Sequence, residues 1–285
     1  MKLISKHNTS CVVVSYNPEE ANFYQLVSLL SSTYSEVCII DNNSTNFECL
    51  ESLIKGICKN IKVIRNKTNL GIAAAINIGI REVYKPGIDW ILTFDQDSLP
   101  SDNFVSVYNG ILMKENNIGL LCPGYTNQHT MLMKEDEEVI YYNSLDLITS
   151  GMLHNVDVFN KIGLYNEPMF IDYVDFEYTL RVAQYYDTFK VSNNTLFHVI
   201  GEPLIGSFFG KKIYSSNHSP IRRYFKSRNL VYIYRKWHRI YPQWTSAKLC
   251  AHIRSIVPLL LLENNKWRKI CSIIKGLYDG INFQR

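Results

Sequence analysis

Two carboxylates one residue apart, Asp95 and Asp97 in the run FDQDS (Phe94–Ser98), stand directly after the apolar stretch Trp90–Phe94. Neighbouring carboxylates repel each other unless a cation or hydrogen-bond donors compensate them. Their oxygens are hard ligands suited to Mg2+ or Mn2+, ions that usually complete their shell with phosphate oxygens and water. A pair of this kind at the end of a buried strand fits a divalent cation that bridges a diphosphate. Asp41, closing the run Val37–Asp41 (VCIID), leads into Asn42-Asn43-Ser44, and the run Cys11–Tyr16 leads into Ser15-Tyr16-Asn17-Pro18. Three polar or acidic clusters at three strand ends point to one shared cleft. Asn and Ser at such places also cap helices and close turns, which is the competing account of Asn42, Asn43 and Ser44.

The elements that must carry these groups alternate. Cys11–Tyr16, Val37–Asp41, Ile61–Arg65 and Trp90–Phe94 are short and rich in β-branched and aromatic residues, as buried strands are. Helical patterns are expected between them, at about Pro18–Ser31, Phe47–Lys59 and Ile72–Tyr84. Pro18 suits a helix start because its missing N–H is no loss there, and Glu19 and Glu20 complement the positive helix end. Strand–helix repetition predicts an α/β fold, a parallel sheet with helices on both faces, whose ligands bind beyond the carboxyl ends of the strands. Further strands are expected at LLCPGY and VIYYN, separated by a solvated acidic loop, Glu135–Glu138. Asp175, Tyr178 and Val182 fall at helical spacing, and Arg222–Arg239 interleaves six Arg/Lys before Trp237 with Tyr224, Phe225, Leu230 and Ile233.

Composition bounds the rest. At 285 residues with 46% hydrophobic and 20% charged residues, the chain can bury a large core and is not disordered. Its seven cysteines are scattered, with no CxxC pair, which argues against a disulfide framework or zinc ribbon and for a reducing compartment. The only apolar run in the first ten residues is Leu3-Ile4, too short for a signal-peptide core, and no stretch of roughly 18 apolar residues is evident. A cytoplasmic protein is expected. Charge is uneven: residues 1–210 hold 14 Lys/Arg against 24 Asp/Glu, net −10, and residues 211–285 hold 16 against 2, net +14. The basic end suits an anionic membrane surface, a phosphorylated ligand or nucleic acid. Ile256–Leu262 is too short to cross a bilayer but fits its interface.

In their order along the chain, VVVSYNP (12–18), IIDNNST (39–45), NLGIAAAINIGI (69–80), FDQDS (94–98), ITSG (148–151), FIDYVDFEYTLR (170–181), FHVIGE (197–202) and SPIRRYFKSRN (219–229) resemble the family 2 glycosyltransferases of GT-A fold, and within them the bacterial rhamnosyltransferase branch. The resemblance covers about Val12 to Asn229. It implies a mixed sheet flanked by helices over residues 1–205, with a basic, aromatic-rich helical region at 206–285 serving as lid, acceptor or membrane element. It further implies a nucleotide-sugar site made by Ser15, Asn17, Asp41, Asn69, Gly71, Asn77, Asp95, Arg222, Arg223 and Arg228. Within that site Asp41 would bond the pyrimidine base, and Gly71, Ala73 and Ala74 would let backbone approach the nucleotide. The same small residues would also serve a helix packed on a sheet. Asp97 would ligate Mg2+ or Mn2+, with His198 as a third ligand or as an ordinary structural histidine. Arg222, Arg223 and Arg228 would clamp phosphate oxygens or merely form a solvated basic face.

Asp175 takes the place of the family's base, with Val174 where the family usually has glutamate and Glu177 where it has a second aspartate; Asp172 is the alternative. Neighbouring carboxylates would raise the pKa of such a base. The structural competitor is a helix-starting Asp175 paired to Arg181. The activity implied is inverting transfer of L-rhamnose from dTDP-β-L-rhamnose to a lipid-linked glycan, as in the synthesis of O antigen of lipopolysaccharide, by an enzyme held peripherally at the inner face of the membrane. A UDP-hexose donor on the same fold is the nearest rival. A non-catalytic lipid- or RNA-binding protein with a vestigial cleft is the rival of another class, and the presence of Asp41, Asp95, Asp97 and Asp175 speaks against it. Nucleic acid is not expected as a partner, and oligomerisation through the aromatic carboxyl-terminal helices is compatible with the composition.

Overall fold

The computed structural model describes residues 2–57, 60–127, 131–134, 137–198, 203–208 and 210–283. The chain divides into two compact units: Met1–Glu167 with Asp175–Val199, and Pro168–Val174 with Ile200–Arg285. The second unit therefore starts a few residues before the expected 206 and also takes a short segment from inside the first.

The first unit opens with β1 (Thr9–Ser15), α1 (Glu20–Thr33), β2 (Val37–Asp41), α2 (Phe47–Lys55), β3 (Ile61–Arg65), α3 (Ile72–Val83) and β4 (Trp90–Asp95). The four strands lie in the order β3-β2-β1-β4, all parallel, as the alternation predicts. The start of α1 is set by Glu19, whose carboxylate accepts from the backbone N–H groups of Ala21 and Asn22, so the helix begins just after Pro18. The second helix stops at Lys55, short of the expected Lys59; Cys58 and Lys59 lie outside the described residues.

Beyond Asp95 come β5 (Ser98–Pro100), α4 (Phe104–Leu112), β6 (Ile118–Thr126), β7 (Tyr141–Asn143), β8 (Met152–Asn155), α5 (Val156–Ile162), α6 (Val174–Val182) and β9 (Asp187–His198). They extend the sheet as β4-β8-β6-β9-β5, with β7 also on β9. Because β8 runs antiparallel to both β4 and β6, the sheet is mixed. Of the acidic loop, Glu135 and Asp136 lie outside the described residues, and Glu137 and Glu138 are exposed.

Strand periodicity distributes the core. Cys11, Val13, Val37 and Ile39 join Phe23, Leu26 and Leu30 of α1, Leu50 of α2 and Tyr108 of α4 in one apolar cluster. The third helix packs on β1 and β2 with Ala73 and Ala74 buried. No disulfide forms among the described cysteines.

The second unit begins with a hairpin that composition did not reveal, β10 (Leu204–Phe208) against β11 (Lys211–Ser215). Four helices follow: α7 (Pro220–Trp237), α8 (Pro242–Arg254), α9 (Ile256–Leu262) and α10 (Lys266–Asn282). The Ser219 hydroxyl caps α7 and Pro220 occupies its first turn. The last helix packs against α7 through glycines. A Cβ at Gly280 would sit 2.7 Å from the Arg228 carbonyl oxygen, and one at Gly276 would lie still closer to that of Tyr224. A charged core sits here as well: Glu263 accepts from Arg223, from Ser215 and from Lys269 Nζ at 2.7 Å, with Glu263, Arg223 and Lys269 all buried.

The membrane expectation needs one correction. Ile256–Leu262 was expected to be too short to span, but α8 runs into it through Ser255. The resulting stretch, Pro242–Leu262, has 21 residues and is long and apolar enough to cross a membrane by length and composition, with 17% of its most apolar window buried. Charged Lys248 and Arg254 inside it obscured that length in the sequence.

Candidate active site

Because β1, β2 and β4 are parallel, their carboxyl ends share one edge of the sheet. Register puts Ser15 beside Asp41 and Val14 beside Asp95. Asp41 is buried and well supplied with donors. It accepts from the Ser44 hydroxyl, from Ser44 N–H at 2.9 Å and from Ser15 Oγ at 3.2 Å, with Arg65 Nε 3.9 Å away. Asn17 Oδ1 accepts from the backbone and hydroxyl of Thr45 at 2.7 and 3.0 Å, and Asn17 N–H donates to Ser44 Oγ at 2.8 Å. The ends of β1 and β2 are thus stitched together, so Asn17 and Ser44 do the turn-closing work of the competing account. Asn42 likewise donates to the Gly71 carbonyl at 3.2 Å and accepts from Asn66 at 2.9 Å.

At the end of β4 the arrangement differs. Asp95, Asp97 and His198 each bring one ligand atom within 4.8 Å of the others, all three half-buried. Ser98 pairs in register with His198 across β5 and β9, and this pairing brings a residue a hundred positions away to the two carboxylates. His198 Nδ1 lies 2.7 Å from Ser98 Oγ and 3.3 Å from Asp97 Oδ1. Burial pulls the His198 pKa down, but the neighbouring Asp97 and Asp95 outweigh it and the net direction is upward. The Oδ1 atom of Asp97 is buried and receives no well-directed hydrogen bond. Two carboxylates and an imidazole whose ligand atoms converge form a donor set that fits a divalent cation. Asp95, which the resemblance places at the nucleotide sugar, belongs to the same cluster, in line with the cation reading of the paired carboxylates.

Sequence reading missed the residues that fix this cluster. Ser150 Oγ accepts from Asp95 N–H at 3.1 Å and donates to Ser98 Oγ at 2.6 Å. Gln96, between the two aspartates, accepts from Tyr16 N–H at 2.6 Å and ties the end of β4 to that of β1. The ITSG run carried Ser150 as a motif, without a role.

Asp175 lies in the first turn of α6, half-buried, with Oδ1 accepting from Phe176 N–H at 2.9 Å. Arg181, the partner in the structural account, donates from Nε to both carboxylate oxygens of buried Glu177 at 2.9 and 3.1 Å and from its terminal nitrogens to the carbonyls of Ile162 and Leu164. Asp172 is held by Arg222 at 3.1 and 3.3 Å. Phe170, Asp172 and Tyr173 all have positive φ, 65°, 59° and 64°, which is costly for side chains of these kinds. Buried Asn229 secures that segment, donating to the carbonyls of Met169, Ile171 and Asp172 at 2.8–2.9 Å. Asn229 stood in a motif but was not singled out.

The remaining expected ligand residues have partners within the protein. Asn77 is buried and committed to Tyr165 and Glu167: Nδ2 donates to the Tyr165 carbonyl and Glu167 Oε1, and Oδ1 accepts from Tyr165 N–H, each at 2.9 Å. Its amide pins a loop. Arg223 is 1% exposed and paired with Glu263 inside the second unit, as a core residue is. Arg228 donates to the Pro168 carbonyl at 2.5 Å and to Asn229 Oδ1, and lies over the rings of Phe225 and Phe283. Arg222 is half-exposed and serves Asp172. Asn69 Oδ1 accepts from Gly71 N–H at 2.9 Å, and Gly71, at φ 83°, starts α3. Ala73 and Ala74 pack inside, as in the helix-packing account. The FHVIGE motif is described only to His198; Val199–Glu202 lie outside the described residues.

A sheet whose parallel half delivers acidic residues to one edge, completed by a mixed half that returns a histidine to them, is the frame of a GT-A glycosyltransferase. The model of glycosyl transferase family 2 matches residues 10–159, and the chain belongs to that family. It is 30% identical over 299 aligned residues to the dTDP-rhamnosyl transferase RfbF of Shigella flexneri, covering 96% of this chain and 95% of the relative. Among solved structures, GalNAc-T7 with UDP, GalNAc and Mn2+ superposes with a TM-score of 0.61 at 17% identity, over 85% of this chain. The chain spans half the length of that protein. TarS 1–349 of S. aureus in complex with UDP-GlcNAc superposes with a TM-score of 0.53 at 15% identity, over 97% of this chain and 73% of the other. At these identities the structures establish the shared fold.

Proposed function

We propose that this glycosyltransferase moves L-rhamnose from dTDP-β-L-rhamnose to a lipid-linked saccharide, with inversion at the anomeric carbon. The observation that carries the donor is the near full-length identity to a dTDP-rhamnosyl transferase. The Asp95–Asp97–His198 cluster supports a diphosphate-bearing donor. Asp175 takes the proton from the acceptor hydroxyl, whose oxygen attacks the anomeric carbon from the face opposite the nucleotide. The bond to the diphosphate breaks and its electron pair leaves with the phosphate oxygen. Mg2+ or Mn2+ held by Asp97 and His198, with Asp95 beside them, would supply positive charge against the departing diphosphate. Asp41 accepts from the imide N–H of the pyrimidine, an edge that thymine and uracil share, so this contact does not select dTDP over UDP. The net charge of +14 over residues 211–285 supports work at an anionic membrane, where a lipid-linked acceptor of cell-surface polysaccharide synthesis resides.

Calorimetric titration with dTDP-rhamnose, UDP-glucose, UDP-galactose and UDP-N-acetylglucosamine, with and without Mn2+, tests the donor. Metal-dependent preference for dTDP-rhamnose, lost in Asp97→Asn, is the expected result. Preference for a UDP-sugar would discard rhamnose and keep the fold and the base.

A further inference from the structure

The face of α10 opposite α7 carries Trp267, Cys271, Ile274, Tyr278 and Ile281, all exposed, with Trp267 at 76% and Tyr278 at 67%. At 3.6 residues per turn these five positions fall within an arc of about 80°. The opposite side is the glycine face at Gly276 and Gly280 that presses against α7, so packing fixes which way the stripe looks. Lys266, Arg268 and Lys275 flank it, all exposed. The preceding helices repeat the pattern, with Ile253, Val257 and Leu260 exposed at spacings of four and three. Isolated exposed apolar residues are ordinary on a soluble surface, whereas aligned stripes of this kind mark an interaction surface.

Charge identifies the occupant. Only two acids occur in residues 211–285, and both are occupied inside the unit: Glu263 with Arg223 and Lys269, and Asp279 with the Tyr224 hydroxyl at 2.8 Å. A surface of Trp, Tyr and Ile bordered by Lys and Arg without a competing carboxylate complements the headgroup layer of an anionic bilayer. We infer that the Trp267–Ile281 stripe of α10 is the surface this chain lays into an anionic bilayer interface. The inference rests on the membrane reading above and deepens it by naming the face.

The test uses the full chain and pelleting with phosphatidylcholine vesicles, with and without phosphatidylglycerol, alongside size-exclusion chromatography and transfer to a water-soluble acceptor analogue. The natural chain is expected to pellet with the anionic vesicles and to release as salt rises. Trp267→Ser with Tyr278→Ser should weaken partition by about tenfold or more, with circular dichroism and transfer to the soluble acceptor unchanged. Arg268→Glu with Lys275→Glu should abolish the preference for phosphatidylglycerol. Equal partition of the Trp267/Tyr278 variant and the natural chain overturns the stripe and leaves the membrane reading standing. Failure of the natural chain to bind either vesicle removes both, and leaves the transfer reaction to be judged on its own assay. A dimer that the same variant splits, with vesicle partition unchanged, assigns the stripe to a second copy and overturns the proposal.

Discussion

The two units each hold a cluster of charged groups, and the clusters are built to opposite ends. In the second, opposite charges are paired: Glu263 faces Arg223 and Lys269, with the Ser215 hydroxyl as a further donor. Burial alone would raise the Glu263 pKa, but these partners hold the carboxyl below its usual range. In the first, Asp95 and Asp97 stand together with a single imidazole beside them, and His198 Nδ1 lies 3.3 Å from Asp97 Oδ1. A closed set of opposite charges neutralises itself, whereas two carboxylates side by side leave negative potential for a cation. Buried charge alone therefore does not mark a site; like charge without a full counter-charge does.

Substitution should separate the two clusters cleanly. The largest effect is expected from Asp175→Asn, which keeps the shape of the side chain and removes the base: kcat should fall by about 10²–10⁴-fold, with unfolding by denaturant little changed. Asp97→Asn should follow, with a loss of about 10²–10³-fold and weakened Mn2+ binding by calorimetry. A large loss of stability from either aspartate variant would place that residue with the closed charges instead. Glu263→Gln should do the reverse. It leaves Arg223 and Lys269 buried without a counter-ion, at a cost of about 3–5 kcal/mol seen as a lower urea midpoint, while whatever remains folded transfers sugar normally. Asn229→Ala, which strips three carbonyls of their donor, should cost about 1–3 kcal/mol and lower kcat more than it changes KM.

The last effect concerns pH and leaves transfer near neutral pH untouched. Burial pushes His154 down to a pKa of about 4, and its ring is bonded to the Ile91 carbonyl and the Tyr165 hydroxyl. The unfolded chain, with an ordinary histidine near 6.5, binds the proton first. Stability is therefore full above about pH 6.5 and declines as pH falls toward 4, by at most about 1.4 kcal/mol per pH unit for this group. Thermal melts across that window should show the slope, and His154→Asn should flatten its share.

Strand identity was the most legible level. Val37–Asp41 and Ile61–Arg65 form with the expected bounds because apolar β-branched runs have few other places to go. The pairing of strand ends was legible too, since parallel strands must deliver their last residues to one edge. Less visible was which way a polar side chain turns. Asn77 and Arg223 read like binding residues, and their inward commitment depends on Glu167 and Glu263, partners 90 and 40 positions away. Ser150 was hidden for the same reason, being 52 residues from the Ser98 it positions. The hairpin Leu204–Ser215 was masked by a basic, aromatic composition shared with the helices after it. Composition averages over a window, whereas a hairpin is decided by alternation within five residues.

The segment Pro168–Val174 belongs by its packing to the second unit, although the chain on either side of it belongs to the first. The polypeptide thus crosses between units three times, and no single cut separates them. A fragment ending near residue 199 would still contain Phe170, Asp172 and Tyr173 but lose the Asn229 amide that holds their left-handed conformations. Exchange of the carboxyl-terminal unit between relatives is constrained in the same way. A grafted helix must bring an amide that the loop of the host can receive, so the loop before Asp175 and the helix carrying Asn229 have to be exchanged together.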